Sequence, residues 1–249
     1  MDRRLIAAWL FLGIPWFWNV EKVGAEDSFS SSQTGEIERL IKEYLLSHPE
    51  IILESVQNYR ERQETERIEQ GASNLKARKA DLERDPETPV VGNPEGDVTL
   101  IEFFDYNCGY CKTALATVRQ LLSEDTGVRL VLKEFPILSE GSEYAAKAAL
   151  AARTQGRYFE FHNRLMEIRG QISEKVVLEA AVQVGLDVEK LKKDMEADRI
   201  ISQLESNREL ARSLNINGTP TFVLGDRIIP GAVDGDSLRE LIREIRIKG

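Results

Sequence analysis

Cysteine is nearly absent from this chain. Among 249 residues there are two, Cys108 and Cys111, and two histidines, His48 and His162. So little sulfur and imidazole excludes a framework stapled by several disulfides. It also weighs against a structural zinc site, because the histidines lack the H-x(3–5)-H spacing and no second cysteine pair completes a ligand set. Tryptophan is confined to Trp9, Trp16 and Trp18. Basic excess is missing too: the net charge is −9, with no basic patch interleaved with aromatics, which argues against nucleic acid and anionic membrane surfaces as partners. Long apolar runs are limited to Leu5–Phe17, which is short of the ~20 residues needed to span a bilayer and is interrupted by Pro15.

That run has the pattern of an export signal, with Arg3-Arg4 ahead of it and Val23-Gly24-Ala25 behind. Residues 1–25 are therefore expected to be a signal peptide, with a retained membrane anchor as the alternative. An exported protein with both cysteines in one CxxC uses them for exchange more readily than for stapling. A disulfide closing so short a loop would constrain the unfolded chain by roughly 2 kcal/mol at best.

The CxxC stands where a strand hands over to a helix. Val98–Phe104 is β-branched or aromatic and short enough for a buried strand, and from Thr113 to Leu122 apolar Leu115, Val118, Leu121 and Leu122 share a helical face. Unpaired N–H groups and the helix dipole at that junction favour a thiolate at Cys108. A thiolate attacks disulfides, and Cys111, three residues on, can resolve the mixed disulfide. A structural disulfide, half a zinc site and chance spacing are the competing readings.

Residues 26–84 read as an N-terminal arm. A polar leader runs to Gly35; helical periodicity starts at Glu36, and Ser47-His-Pro-Glu50 has the form of a capping box that restarts a helix. Apolar Ile37, Leu40, Ile41, Leu45, Ile52, Val56 and Tyr59 precede a charged stretch, and Ile68, Leu75 and Leu82 recur at heptad spacing too thinly for a coiled coil. Residues 85–97, with three prolines and two glycines, read as a linker. Val128–Phe135 reads as a second strand parallel to the first, about 139–215 as helices broken near Gly141, Gly156, Gly170, Gly185 and Asp198, and Thr219–Leu224 with Arg227–Ile229 as a hairpin before a last helix, Asp236–Ile247. His162 lies among Phe159, Phe161 and Leu165 and reads as a packed histidine rather than a catalytic one.

This order, together with Ile101–Cys111, Lys133-Glu-Phe-Pro-Ile137 and Asn217-Gly-Thr-Pro-Thr-Phe222, resembles the DsbA-like thiol–disulfide oxidoreductases of bacterial envelopes, and most nearly their ScsC-type members. The resemblance covers residues 90–249 well and 36–84 in general character. It implies an α/β, thioredoxin-like fold over residues 98–249 with a helical insertion, preceded by an N-terminal helical oligomerisation arm. It implies that Cys108 is the exposed nucleophile and Cys111 the buried resolving thiol, that Glu102 is a buried carboxylate relaying the proton of Cys111, and that Thr219-Pro220 is a cis-proline loop which, with Gly109 and Tyr110, meets the substrate. No cofactor beyond the Cys108–Cys111 redox pair is implied. Gly109-Tyr110 departs from the Pro-His dipeptide of the strongest oxidant in the family, so strong oxidase behaviour is not expected. The resulting expectation is a periplasmic disulfide isomerase acting on unfolded or misfolded envelope proteins, kept supplied by a membrane redox partner and assembled as a homo-oligomer, a trimer by resemblance. A monomeric thiol oxidase and a Cu(I)-binding redox protein for copper tolerance are the alternatives.

Overall fold

The structure is a computed structural model that describes residues 30–248. The expected signal peptide and the start of the leader lie outside the described residues. The chain divides into two compact units, one ending at Arg60 and the other starting at Glu61.

The first unit holds helix α1 (Ser31–Ser47) and the beginning of α2 (Pro49–Ala77). Helix α1 starts five residues earlier than periodicity suggests. A reciprocal cap explains this: the Gln33 N–H donates to Ser30 Oγ at 3.3 Å, and the Ser30 N–H donates to Gln33 Oε1 at 3.0 Å. The box expected at Ser47–Glu50 does not form. Ser47 instead ends α1, its hydroxyl donating to the Glu43 carbonyl at 2.8 Å. Helix α2 begins at Pro49, a position where a missing N–H costs nothing. Ile37, Leu40, Ile41, Tyr44, Ile52, Val56 and Tyr59 are exposed, and Leu45 is half-buried.

The second unit is built on a five-stranded sheet in the order β1 (Val90–Gly92), β3 (Val128–Glu134), β2 (Val98–Phe104), β4 (Thr221–Leu224), β5 (Arg227–Pro230). Strands β2 and β3 run parallel in register from Val98↔Val128 to Phe104↔Glu134, and the other pairings are antiparallel. Both central strands are covered on both faces, which explains their near-continuous apolar sequence. Alternation then sorts the side chains. Leu100, Phe104, Leu130 and Leu132 face a core shared with α4 (Gly109–Glu124) and α10 (Gly235–Lys248), while Ile101, Phe103, Val131 and Phe135 face the other way. By the same parity Glu102 and Glu134 point into the first core and Lys133 into the second.

Between β3 and β4 lies the helical insertion: α5 (Glu140–Ala152), a 3-10 turn at Arg153–Gln155, α6 (Tyr158–Met166), α7 (Glu174–Gln183), α8 (Val188–Met195) and α9 (Asp198–Ser213). Helix α5 is its hub. Fully buried Ala145, Ala148, Ala149, Ala151 and Ala152 leave room for α6, α7, α8 and α9 to pack against it. The expected breaks at Gly156, Gly170 and Gly185 are left-handed turns, with φ of 70°, 88° and 74°.

The sequence reading of residues 61–97 needs correction. Leu75, at the end of α2, and Leu82, in the short helix α3 (Lys79–Glu83), are buried against Ile101, Phe103 and Val131. Their heptad spacing reflects one face laid on the sheet. The supposed linker contains β1, which pairs with β3. With α3 it also satisfies a buried lysine: Lys133 Nζ donates to the Asp81 carbonyl of α3 (2.8 Å) and to Thr88 Oγ1 (2.7 Å) and Asp85 Oδ2 (3.3 Å) of the stretch 85–97, while Gln203 Nε2 donates to the same Asp85 oxygen at 2.7 Å. Polar and proline-containing residues look like a linker in sequence, but here they are the partners of a charge that could not otherwise be buried.

Leu82→Ala should lower stability by about 2–5 kcal/mol, the usual loss for a buried leucine, read as a fall in the urea midpoint. Removal of residues 30–60 should leave that midpoint nearly unchanged, whereas removal of 30–84 should expose the Ile101–Phe103 face and yield aggregated protein.

Candidate active site

Strand β2 ends at Phe104, and four residues later Cys108 is the N-cap of α4. Between them the chain is pinned by side chains that give the backbone its turn. Asp105 Oδ1 accepts from the Asn107 N–H at 2.7 Å, and Asp105 Oδ2 accepts from the N–H groups of Ile137 (2.8 Å) and Leu138 (3.0 Å). The Asp105 carbonyl accepts from the Cys108 N–H at 3.0 Å. Asp105 and Asn107 were missed by sequence reasoning, although Asp-x-Asn ahead of a helix is the signature of an Asx turn.

The cap at the head of α4 is a sulfur. The Cys111 N–H points at Cys108 Sγ, 3.4 Å away, and Cys108 Sγ–H donates to the Thr219 carbonyl at 3.1 Å. The Thr219–Pro220 bond is cis, as the resemblance implies. Cys108 therefore differs from the exposed nucleophile expected: it keeps 6% of its surface and Cys111 1%, because the Thr219–Pro220 loop lies over the first sulfur. The order of accessibility is nonetheless the expected one. Both cysteines are free thiols. Of the dipeptide between them, Tyr110 is 72% exposed and Gly109 has open space around it.

Cys111 faces the dry interior. Burial pushes its thiol well above the ordinary range; the Asp105 backbone N–H pulls it back, and Cys108 and the Glu102 carboxylate push it up further. Glu102, on the same face of β2, is raised to about 8, by burial alone. A carboxyl so placed changes charge near neutrality and lies close enough to Cys111 to influence it electrostatically. The structure thus brings together Glu102, Cys108, Cys111 and Thr219.

His162 is not part of this group. It is buried against Phe104, Tyr106, Tyr158 and Phe159, and burial, with the charge of Arg119 adding to it, pushes it down to about 3, so it stays neutral. Its Nδ1 lies 3.2 Å from the Tyr106 hydroxyl, which donates to Glu134 Oε1 at 2.8 Å; Tyr158 donates to the same oxygen at 2.9 Å. This second buried carboxyl, also raised well above its ordinary value by burial, braces the β2–α4 junction from below.

The shift at Glu102 fixes the sign of a pH effect. The folded state holds a proton that the unfolded chain gives up near the ordinary value of 4.5. That stabilisation is complete below pH 4.5 and is lost as pH rises through about 8. Glu102→Gln removes it. Urea midpoints of the reduced variant should therefore gain on the parent progressively between those two limits and show no gain at the acid end.

Comparison with known proteins bears on what this arrangement does. Residues 99–243 match the model of the DSBA-like thioredoxin domain, and residues 33–66 that of the copper resistance protein ScsC N-terminal domain. A thioredoxin-like oxidoreductase from Silicibacter pomeroyi DSS-3 is 50% identical, with a TM-score of 0.66 over 67% of this chain and 96% of that one. A linker-deletion mutant of Proteus mirabilis ScsC is 26% identical, with a TM-score of 0.69 over 90% of this chain and all of that one (100%). Disulfide bond formation protein D of Bacillus subtilis (strain 168) is 27% identical over 65% of this chain and 78% of its own length. Curated Na(+)/H(+) antiporters also match, but the chain spans only about a quarter of them, 24% of NhaA 1 from Salinispora arenicola at 30% identity over 62% of this chain. Among the described residues no helix is long and apolar enough to cross a membrane. Sequence match and fold agree: the chain belongs to the DsbA-like thioredoxin-domain family of thiol–disulfide oxidoreductases and carries an ScsC-type N-terminal segment.

Proposed function

We propose that this protein is a disulfide isomerase of the periplasm, exported by residues 1–25 and acting on misfolded envelope proteins as a homo-oligomer. The observation that carries the isomerase reading is the first unit's exposed apolar series, Ile37, Leu40, Ile41, Tyr44, Ile52, Val56 and Tyr59. So much exposed apolar surface on one short pair of elements is costly for a lone chain and is the usual mark of an interface. Copies joined there, three by resemblance, would hold several dithiols around one client and raise the effective concentration of thiolate.

The chemistry follows from the site. Cys108 thiolate attacks a client disulfide, forming a mixed disulfide and releasing one client thiolate. That thiolate attacks a second client disulfide and frees a different client thiolate. The latter attacks the client sulfur of the mixed disulfide, forms the new client disulfide and releases Cys108 as thiolate; this is isomerisation. Alternatively, Cys111 loses its proton to Glu102 and attacks Cys108 Sγ, freeing the client reduced. The Thr219 carbonyl, 3.1 Å from Cys108 Sγ, and the exposed ring of Tyr110 are where client backbone and side chain would rest. An oxidised Cys108–Cys111 pair would need a membrane redox partner to reset it.

A second reading, Cu(I) binding, is favoured by two free thiols in one loop and by the N-terminal match to a copper resistance protein. Stoichiometric binding of Cu(I) by the reduced protein, lost in Cys108→Ala, would support it.

Cys111→Ala should accumulate mixed disulfides with envelope proteins, visible on non-reducing gels, while Cys108→Ala should form none; equal trapping by both would refute the assigned order of attack. Solution mass of the chain starting at Glu26 should be that of an oligomer at micromolar concentration. Removing residues 26–60 should leave a monomer that keeps dithiol reactivity and loses refolding of scrambled substrates. A monomeric parent would instead make the protein a thiol oxidase.

A further inference from the structure

The residues immediately flanking the CxxC, Asn107 before it and Lys112 after it, reach the same short segment of the helical insertion. Asn107 Oδ1 accepts from the Ile172 N–H at 2.7 Å, while its Nδ2 donates to Ser139 Oγ (2.7 Å) and Ser142 Oγ (3.0 Å) at the start of α5. Lys112 Nζ donates to the Ile168 carbonyl at 2.7 Å and the Gly170 carbonyl at 3.4 Å. The connection between α6 and α7 is thus held at residues 168, 170 and 172 by the two ends of the dithiol loop. Gly170, with φ of 88°, supplies the left-handed turn inside the gripped segment.

The grip fixes a charge as well as a shape. The hydrogen-bond partners of Lys112 are backbone carbonyls, which hold the ammonium without neutralising it. Burial pushes the ammonium down, and Asp105, Cys108 and Cys111 push it back up, so it senses both sulfurs. Neither Gly109 nor Tyr110 carries a cation.

We propose that Asn107 and Lys112 are positioning residues which, by gripping the Ile168–Ile172 segment, set the reactivity of the dithiol: Asn107 fixes the loop for attack, and Lys112 holds a cation beside the reduced pair. The helical insertion then tunes the redox chemistry and is more than a cover over it. This rests on the dithiol reading above.

The reaction with oxidised glutathione tests it. Cys108 thiolate attacks one glutathione sulfur, breaking the glutathione disulfide and releasing the first glutathione as thiolate. Cys111 thiolate then attacks Cys108 Sγ and releases the second. The protein loses two electrons and forms the Cys108–Cys111 bond; the two protons the thiols gave up end on the two glutathiones.

Lys112→Gln removes the charge that favours the reduced form. Its equilibrium with glutathione should shift roughly tenfold toward the protein disulfide, the lower end of what one adjacent opposite charge does to an ionisation, and Lys112→Arg should restore the parent value. Asn107→Ala should slow mixed-disulfide formation about tenfold, as loss of orientation does. Asn107→Leu, of similar volume and without the Ile172 acceptor, gives the same reading if the alanine variant does not fold. The control is Arg119→Ala. Arg119 joins α4 to α6 through Asn163 (3.2 Å) and Glu167 (2.9 Å), away from the dithiol, so its loss should lower the melting temperature and leave both redox readouts alone. If the Lys112 and Asn107 variants behave like Arg119→Ala, the grip is merely structural and the proposal is overturned. A parent that forms no mixed disulfide with glutathione overturns the dithiol reading itself.

Discussion

A sulfur caps the helix that carries the chemistry. The first turn of α4 needs acceptors for its free N–H groups, and Cys108 Sγ is the one supplied. That single placement links local structure to reactivity, because the atom that satisfies the helix end is also the first sulfur of the dithiol. It constrains the rest of the fold as well. The strand must end at Phe104, Asp105 and Asn107 must turn the chain, and the Thr219 carbonyl must arrive from 111 residues away to lie against the same atom.

Burial beneath that cap sorts the acids and thiols by role. Cys108 sits at the rim, whereas Cys111 and Glu102 face a core in which charge is expensive. Both resist ionisation, and the charge of Glu102 makes ionising the Cys111 thiol costlier still. Glu134, with Tyr106 and Tyr158 donating to it, shows the other way to bury a carboxyl: hydrogen bonds hold it in place under the same junction.

What could be read from the sequence was whatever local patterning decides. Strand β2, the CxxC, the hairpin and the left-handed glycines between helices all announce themselves through period, turn chemistry or spacing. Contacts distant in sequence did not. Nothing near Leu75 or Leu82 says that a sheet strand will lie under them, and Lys133 looks like an exposed residue of a strand until Asp81, Asp85 and Thr88 are brought to it by the fold. At Ser47 two local rules competed. The proline at position N1 and the hydroxyl's bond back to Glu43 won over the capping box, while a second box, Ser30–Gln33, lay unnoticed in what looked like a polar leader. At the site itself the cysteines, Glu102 and the cis-proline loop were visible by resemblance. The loop anchors Asp105, Asn107 and Lys112 were not, since the partners that hold them to the rest of the fold lie 32 to 65 residues away.

The packing of Leu75, Leu82 and β1 bears on how such a protein can be inherited in pieces. One family's pattern stops at residue 66 and the other's starts at 99, so the stretch between belongs to neither. Yet that stretch carries two core leucines, an edge strand and the counter-groups of a buried lysine. Recombination that joined a new arm at residue 99 would discard them and leave the Ile101–Phe103 face covered only by Leu210, Ala211, Leu214 and Ile216. A viable exchange has to fall nearer residue 60, inside a helix rather than in a loop, so lineages that trade arms must carry this unclaimed stretch along with the dithiol.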